Sequence, residues 1–231
     1  MTLATIELTK SFGGVHAVDH ATVEFRDGKI NAVIGPNGSG KTTFFNCVTG
    51  MIRPDSGSVS YRGRDVTGRA PHRIAAAGIG RSFQLCRIFP RMTVRENVLA
   101  AVRPRGIAGL LRSAGVAADI ERARGWLRRV GIDHLEDIEA RNLSYGQQKL
   151  VELAQILMVD PKLIMLDEPA GGINPTLIER IGEMIRELNS QGKTFLLVEH
   201  NMPFVLGLCH PVLVLARGAC IAQGQAQDIQ A

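Results

Sequence analysis

Ile34–Thr43 reads I-G-P-N-G-S-G-K-T-T, and four residues separate Gly35 from the run Gly40, Lys41, Thr42. Those types in that order suit the capture of a phosphate chain. Glycines let the backbone curl so that successive N–H groups face an anion with no Cβ in the way. A helix predicted from Thr42 to Gly50 would turn its positive dipole end towards the same anion. Lys41 would reach the β- and γ-phosphates, and the Thr42 hydroxyl would coordinate Mg²⁺. A strand predicted over Lys29–Ile34, directly upstream, supplies the context that an ordinary glycine-rich turn lacks. The candidate nucleotide contacts here are Gly35, Pro36, Asn37, Gly38, Ser39, Gly40, Lys41, Thr42 and Thr43.

A second chemical stretch is Leu163–Pro169, L-I-M-L-D-E-P, an apolar run ending in two carboxylates. Such a run fits a central parallel strand, whose carboxyl end is where open α/β sheets bind ligands. Asp167 would hold Mg²⁺, mostly through water. Glu168 would stand beside the γ-phosphate and polarise an attacking water. In N-L-S-Y-G-Q-Q, residues 142–148, Ser144 and Gln147 form a capping box for a helix running to about Val159. The same bare N–H groups, with the serine hydroxyl and Gly146, would also make a second anion site, and both readings stand. Phe12, in the turn Ser11–Gly14, would either stack on an adenine base or tuck onto the flanking strands. His200, after a strand predicted over Thr194–Glu199, reads by itself as a capping or surface histidine.

The elements that must position these residues alternate in type. Thr2–Leu8 and Ala21–Phe25 alternate apolar and polar residues, as antiparallel strands do. Ile52–Gly57 is a turn, Ser58–Tyr61 a short strand, and Pro71–Ala77 a helix opened by proline. Gly78–Phe83 leads in extended form to Gln84 and an irregular segment, Leu85–Pro90. Thr93 and Glu96 form a capping box ahead of the apolar pattern Val94, Val98, Leu99, Val102. A Gly- and Arg-rich break over 104–115 precedes a basic amphipathic helix over 117–130. Residues 91–160 thus read as a helical subdomain inserted in an α/β core made of 1–90 and 161–231.

The 231 residues are 45% hydrophobic and 21% charged, which suits a folded chain with a sizeable interior. The net charge of +5 is mostly arginine, clustered at Arg62–Arg73 and Arg122–Arg129. Solvated helical faces or attraction to an anionic membrane surface would account for both clusters, and no basic stripe interleaved with aromatics argues for nucleic acid. Cys47, Cys86, Cys209 and Cys220 lie far apart without a C-x-x-C pair and read as free thiols in a reducing compartment. The N-terminal residues lack the regions of a signal peptide, and Asn201–Ala216, broken by Pro203 and Pro211, falls short of a bilayer span.

Taken in order, the phosphate loop, Gln84, L-S-Y-G-Q-Q, L-I-M-L-D-E-P and V-E-H resemble the ATPase subunits of ABC transporters over nearly the whole chain. The resemblance implies a P-loop NTPase (RecA-like) core with an N-terminal antiparallel β subdomain and an inserted helical subdomain. It implies ATP and Mg²⁺ as cofactors. Ser144, Gly146 and Gln147 would act in trans on ATP held by a second ABC ATPase, copy or paralogue, in a head-to-tail dimer. Gln84 would touch Mg²⁺ or water while its loop rests on a membrane partner, and His200 would contact the γ-phosphate. I-G-P-N-G-S-G-K-T-T-F-F-N-C-V-T-G, G-R-S-F-Q-L-C-R-I-F-P-R-M-T-V-R-E-N-V and P-A-G-G-I-N-P are similar to importers of branched-chain amino acids, the LivG type. That similarity implies transmembrane permease subunits, a periplasmic or extracellular solute-binding protein acting indirectly, no nucleic acid, and a place on the cytoplasmic face of the membrane. Related ATPases serve urea or amide import and, more distantly, lipid export. Soluble ABC modules of translation or repair carry a second cassette or a long coiled coil, which this sequence lacks. Tyr145 stands where glycine is commoner, and Asn174 where aspartate is usual.

Overall fold

In the computed structural model, residues 3–83, 86–102 and 113–225 are described here. The chain divides into two compact units: Met1–Arg81 with Lys162–Gly171 and Ile178–Ala231, and Ser82–Pro161 with Gly172–Leu177.

The first unit holds two sheets. β1 (Leu3–Phe12), β2 (Val15–Phe25), β4 (Ser56–Tyr61) and β5 (Arg64–Asp65) form an antiparallel sheet in the order β2-β1-β4-β5. β1 continues to Phe12 rather than ending at Leu8, and β2 begins at Val15 rather than Ala21. Gly13 and Gly14, at φ 51° and 84°, make a two-residue turn that lets the strands pair up to Phe12↔Val15. Register shifts between Thr5 and Ser11 break the alternation along β1, which is why its outer half does not read as a strand.

The second sheet has the order β10-β9-β3-β8-β7-β6. It comprises β3 (Ile30–Ile34), β6 (Ile79–Arg81), β7 (Leu163–Asp167), β8 (Thr194–Val198), β9 (Val212–Ala216) and β10 (Ala219–Gly224). Strands β3, β6, β7, β8 and β9 are mutually parallel, and β10 pairs antiparallel with β9 at the edge. β3, β7 and β8 are buried along their whole length, as apolar strands covered on both faces must be. α1 (Lys41–Val48) packs Phe44, Phe45 and Val48 into a core shared with Leu3, Leu8 and Phe25 of one sheet and Met165, Leu196 and Val198 of the other. Phe25 and Phe44 meet edge to face at 6.2 Å. α2 (Pro71–Ala76) also belongs to this unit.

The second unit is helical, with α3 (Val94–Ala100), α4 (Ser113–Val130) and α5 (Tyr145–Met158). Arg122 donates to the Met158 carbonyl at 2.7 Å and so closes the end of α5, while Arg124 pairs with Glu121 and Glu136. Much of the basic character of α4 is thus spent on neighbouring acids and a helix end. α6 (Pro175–Ser190) starts from Asn174, whose Oδ1 accepts the Leu177 N–H at 2.9 Å. α7 (Met202–Leu208) is capped by Asn201. All four cysteines are free, and burial pushes the Cys47 and Cys209 thiols up to about 11 and about 12. Among the described residues no helix is long and apolar enough to cross a membrane.

Candidate functional site

Strand order explains why distant segments meet. β3, β8 and β7 are consecutive parallel neighbours, so the loop after Ile34, the residues after Val198 and the acid ending β7 all leave the sheet at its carboxyl edge.

The loop after β3 is drawn tight by its glycines. Gly35 has φ 151°, and a Cβ there would stand 2.1 Å from the Leu215 carbonyl oxygen. Gly40 has φ 100°, and its Cβ would stand 1.9 Å from the Ala17 oxygen. No other residue fits between those two backbones. Gly40 is the N-cap of α1, which therefore begins at Lys41 with its free N–H groups facing the loop. The Lys41 ammonium curls back over the loop and donates to the Gly35 and Pro36 carbonyls at 2.8 and 2.9 Å. Burial lowers its pKa, while Glu168 and Asp167 pull the other way. Pro36, Asn37, Gly38 and Thr42 are exposed, Thr43 is partly so, and Ser39 is buried.

Asp167 ends β7 only 3% exposed. Burial raises its pKa; Arg81 opposes this from 3.6 Å, and neighbouring Glu168 adds to it. Glu168 has φ 50°, a left-handed conformation that non-glycine residues rarely adopt. Its N–H donates to the Val198 carbonyl at 2.8 Å, which fixes that turn. The imidazole Nδ1 of His200 lies 3.6 Å from Glu168 Oε1, so the two side chains expected to act on the reacting phosphate are adjacent.

Sequence reasoning missed two residues of this edge. Glu199 is fully buried; Oε1 accepts the Ala170 N–H at 2.7 Å, and Oε2 accepts the His200 and Asn201 N–H groups at 3.0 and 3.1 Å. It braces the segments that carry Glu168 and His200 against each other. Arg81 closes the other flank of Asp167. Their types give no warning, because the contact of Glu199 with Ala170 and those of Arg81 with Thr49 and Asp167 exist only once the fold has brought distant segments together.

Phe12 ends β1 half exposed, with Lys10 Nζ 5.5 Å from its ring centroid, instead of standing in a loop. The two-residue turn leaves no loop for it to occupy. In the helical unit, Ser144 Oγ accepts the Gln147 N–H at 3.3 Å and Gln147 Oε1 accepts the Ser144 N–H at 2.8 Å, a complete capping box. A Cβ on Gly146 would stand 2.8 Å from Leu177 Cδ2, so the end of that leucine side chain would have to shift to admit one. The Tyr145 ring covers Gly172, where a Cβ would stand 3.1 Å from it. Gln84 lies outside the described residues, as does Leu85.

Residues 18–171 match the sequence profile of the ABC transporter family. The chain belongs to that family. As an ABC transporter chain it is 41% identical to a probable branched-chain amino acid transport ATP-binding protein LivG of Archaeoglobus fulgidus, covering 98% of this chain and 90% of the relative. It is 37% identical to the high-affinity LivG protein of Escherichia coli K12, covering 96% and 91%. An ATP-binding cassette of an ABC transporter solved in its ADP conformation superposes with a TM-score of 0.86 at 34% identity, covering 99% and 93%. The donor set of this ABC transporter chain fits a magnesium-bound nucleotide. Thr42 and Asp167 offer hard oxygen ligands of the kind Mg²⁺ takes, and the buried Asp167 carboxylate already lies among cations.

Proposed function

We infer that this chain is the ATP-binding and ATP-hydrolysing subunit of an ABC importer of branched-chain amino acids. The observation that carries the reading is the near full-length similarity to LivG proteins, joined to a loop, lysine and acidic pair at one sheet edge. The whole chain, 1–231, is one ATP-binding domain, with 91–160 as its helical subdomain.

Residues 35–43 wrap the phosphates with backbone N–H groups and the α1 terminus. Lys41 releases the Gly35 and Pro36 carbonyls and neutralises the β- and γ-phosphates. Thr42, Asp167 and Gln84 would hold Mg²⁺, which when bound would offset charge on the phosphate oxygens. Glu168 accepts the proton of the attacking water, and His200 orients the γ-phosphate side of that reaction. Phe12 supports the adenine base. Ser144, Gly146 and Gln147 reach the nucleotide of a second ATPase in a head-to-tail dimer, a paralogue by preference over a copy. The working complex adds permease subunits and a solute-binding protein and places this chain on the cytoplasmic face of the membrane.

The test is to tag the chain in its own cells, solubilise membranes gently and identify what co-purifies. Recovery of multi-span permeases with a second ATPase, and ATP hydrolysis stimulated by leucine, isoleucine or valine with the binding protein, is the expected result. Recovery with ribosomes or DNA would overturn the transport assignment, and stimulation by urea or an amide alone would replace the solute.

A further inference from the structure

We propose that Arg81 is a positioning residue for Asp167, tying the metal-bearing carboxylate to the helix that carries the phosphate loop. The proposal rests on reading Asp167 as a Mg²⁺ ligand. β6 and β7 run parallel with Arg81 opposite Met165, so Arg81 and Asp167, two residues further on, project from the same face. The Arg81 side chain is 9% exposed, with Nη2 3.6 Å from Asp167 Oδ2. Its Nη1 donates to Thr49 Oγ1 at 2.6 Å, just beyond the last turn of α1. Thr49 in turn donates to the Phe45 carbonyl at 2.7 Å, and the guanidinium lies 5.7 Å from the Phe45 ring centroid. One planar fork therefore spans the end of α1 and the end of β7, a reach that a lysine ammonium would not reproduce.

The charges around Asp167 show what the fork is for. Glu168 repels it, while Lys41 and Arg81 attract it. Lys41 is committed to phosphate once a nucleotide binds, so Arg81 is the cation that stays with the carboxylate through the cycle. It acts through Asp167, fixing where the carboxylate oxygens stand relative to α1. The chemical class it serves is a divalent cation held by hard oxygen donors beside a triphosphate.

The experiment titrates a fluorescent ATP analogue into the full chain in Mg²⁺ and in EDTA, reading the ratio of the two affinities. Arg81→Met is expected to shrink the Mg²⁺-dependent gain by about tenfold or more, the usual loss when the partner of a metal-ligating group is removed. Its EDTA affinity should stay nearly unchanged. Arg81→Lys should restore part of the gain. Thr49→Val, which unties the guanidinium from α1 but keeps its charge, should lose part of it, and these two variants decide the matter if Arg81→Met does not fold. Equal losses in Mg²⁺ and EDTA would mean a purely structural role and overturn the proposal. An unchanged ratio, alongside a collapsed ratio in Asp167→Asn, would overturn it too. If Asp167→Asn itself keeps the wild-type ratio, the Mg²⁺ reading of Asp167 falls, and the role given to Arg81 falls with it.

Discussion

Glu168 and His200 stand 3.6 Å apart at a strand end, and this contact gives the sharpest expectations for single residues. Glu168→Gln keeps the size of the side chain and removes the proposed proton acceptor, so ATP should still bind while turnover drops by roughly 10²–10⁴-fold. Single-turnover phosphate release measures this, and normal turnover would remove Glu168 from the role of base. Lys41→Ala should instead weaken nucleotide binding itself, visible as a lost thermal shift. Glu199→Gln leaves one carbonyl oxygen for three N–H donors, those of Ala170, His200 and Asn201. It should lower turnover more than ATP affinity, because the brace orients Glu168 and His200 and not the phosphate loop. Parallel losses in both quantities would make Glu199 a residue of general stability. The tight glycine loop before α1 and the two acids ending β7 were legible in the sequence because each lies in contiguous residues. Arg81 and Glu199 were not, because the contacts that define them, Arg81 with Thr49 and Asp167 and Glu199 with Ala170, cross long stretches of sequence.

Among the elements, buried strands and capped helices announce themselves, whereas bulged strands do not. β3, β7 and β8 appear as short apolar runs within a residue of their expected bounds, and the boxes at Thr93 and Ser144 mark the starts of α3 and α5. The hairpin of β1 and β2 is longer than alternation suggests, since Glu7 and His20 take positive φ where the register shifts. α5 also carries a buried acid, Glu152, which accepts the Phe83 N–H at 3.0 Å. Burial is the main reason its pKa is raised. A carboxyl whose pKa rises on folding binds its proton more readily in the native state. Its contribution to stability is therefore present below the ordinary value of 4.5 and is lost as pH rises through the elevated one. Glu152→Gln, neutral at every pH, should accordingly raise the melting temperature at neutral pH more than at pH 4. A variant with the same pH dependence as wild type would show that Glu152 titrates normally.

For the molecule as a whole, binding is linked to stability. With free ATP and Mg²⁺ at one hundred times Kd, the native state should gain about 2.7 kcal/mol. At about 2–4 °C per kcal/mol for a chain of this size, the melting temperature should rise by roughly 5–10 °C. Calorimetry with and without nucleotide checks this, and no rise at saturation would contradict nucleotide binding. One feature of the phosphate loop reaches beyond its own motif. Gly40 is walled by the Ala17 carbonyl and Gly35 by that of Leu215, so main chain from β2 and β9 shapes this loop. Such walls are indifferent to spelling and sensitive to spacing: what position 17 presents to Gly40 is a carbonyl that every residue carries, so the number of letters between the hairpin turn and Phe25 matters more than which letter stands there. Losing a single residue there would slide a different carbonyl beneath Gly40. The nucleotide motif would still read perfectly while the cradle it spells no longer formed.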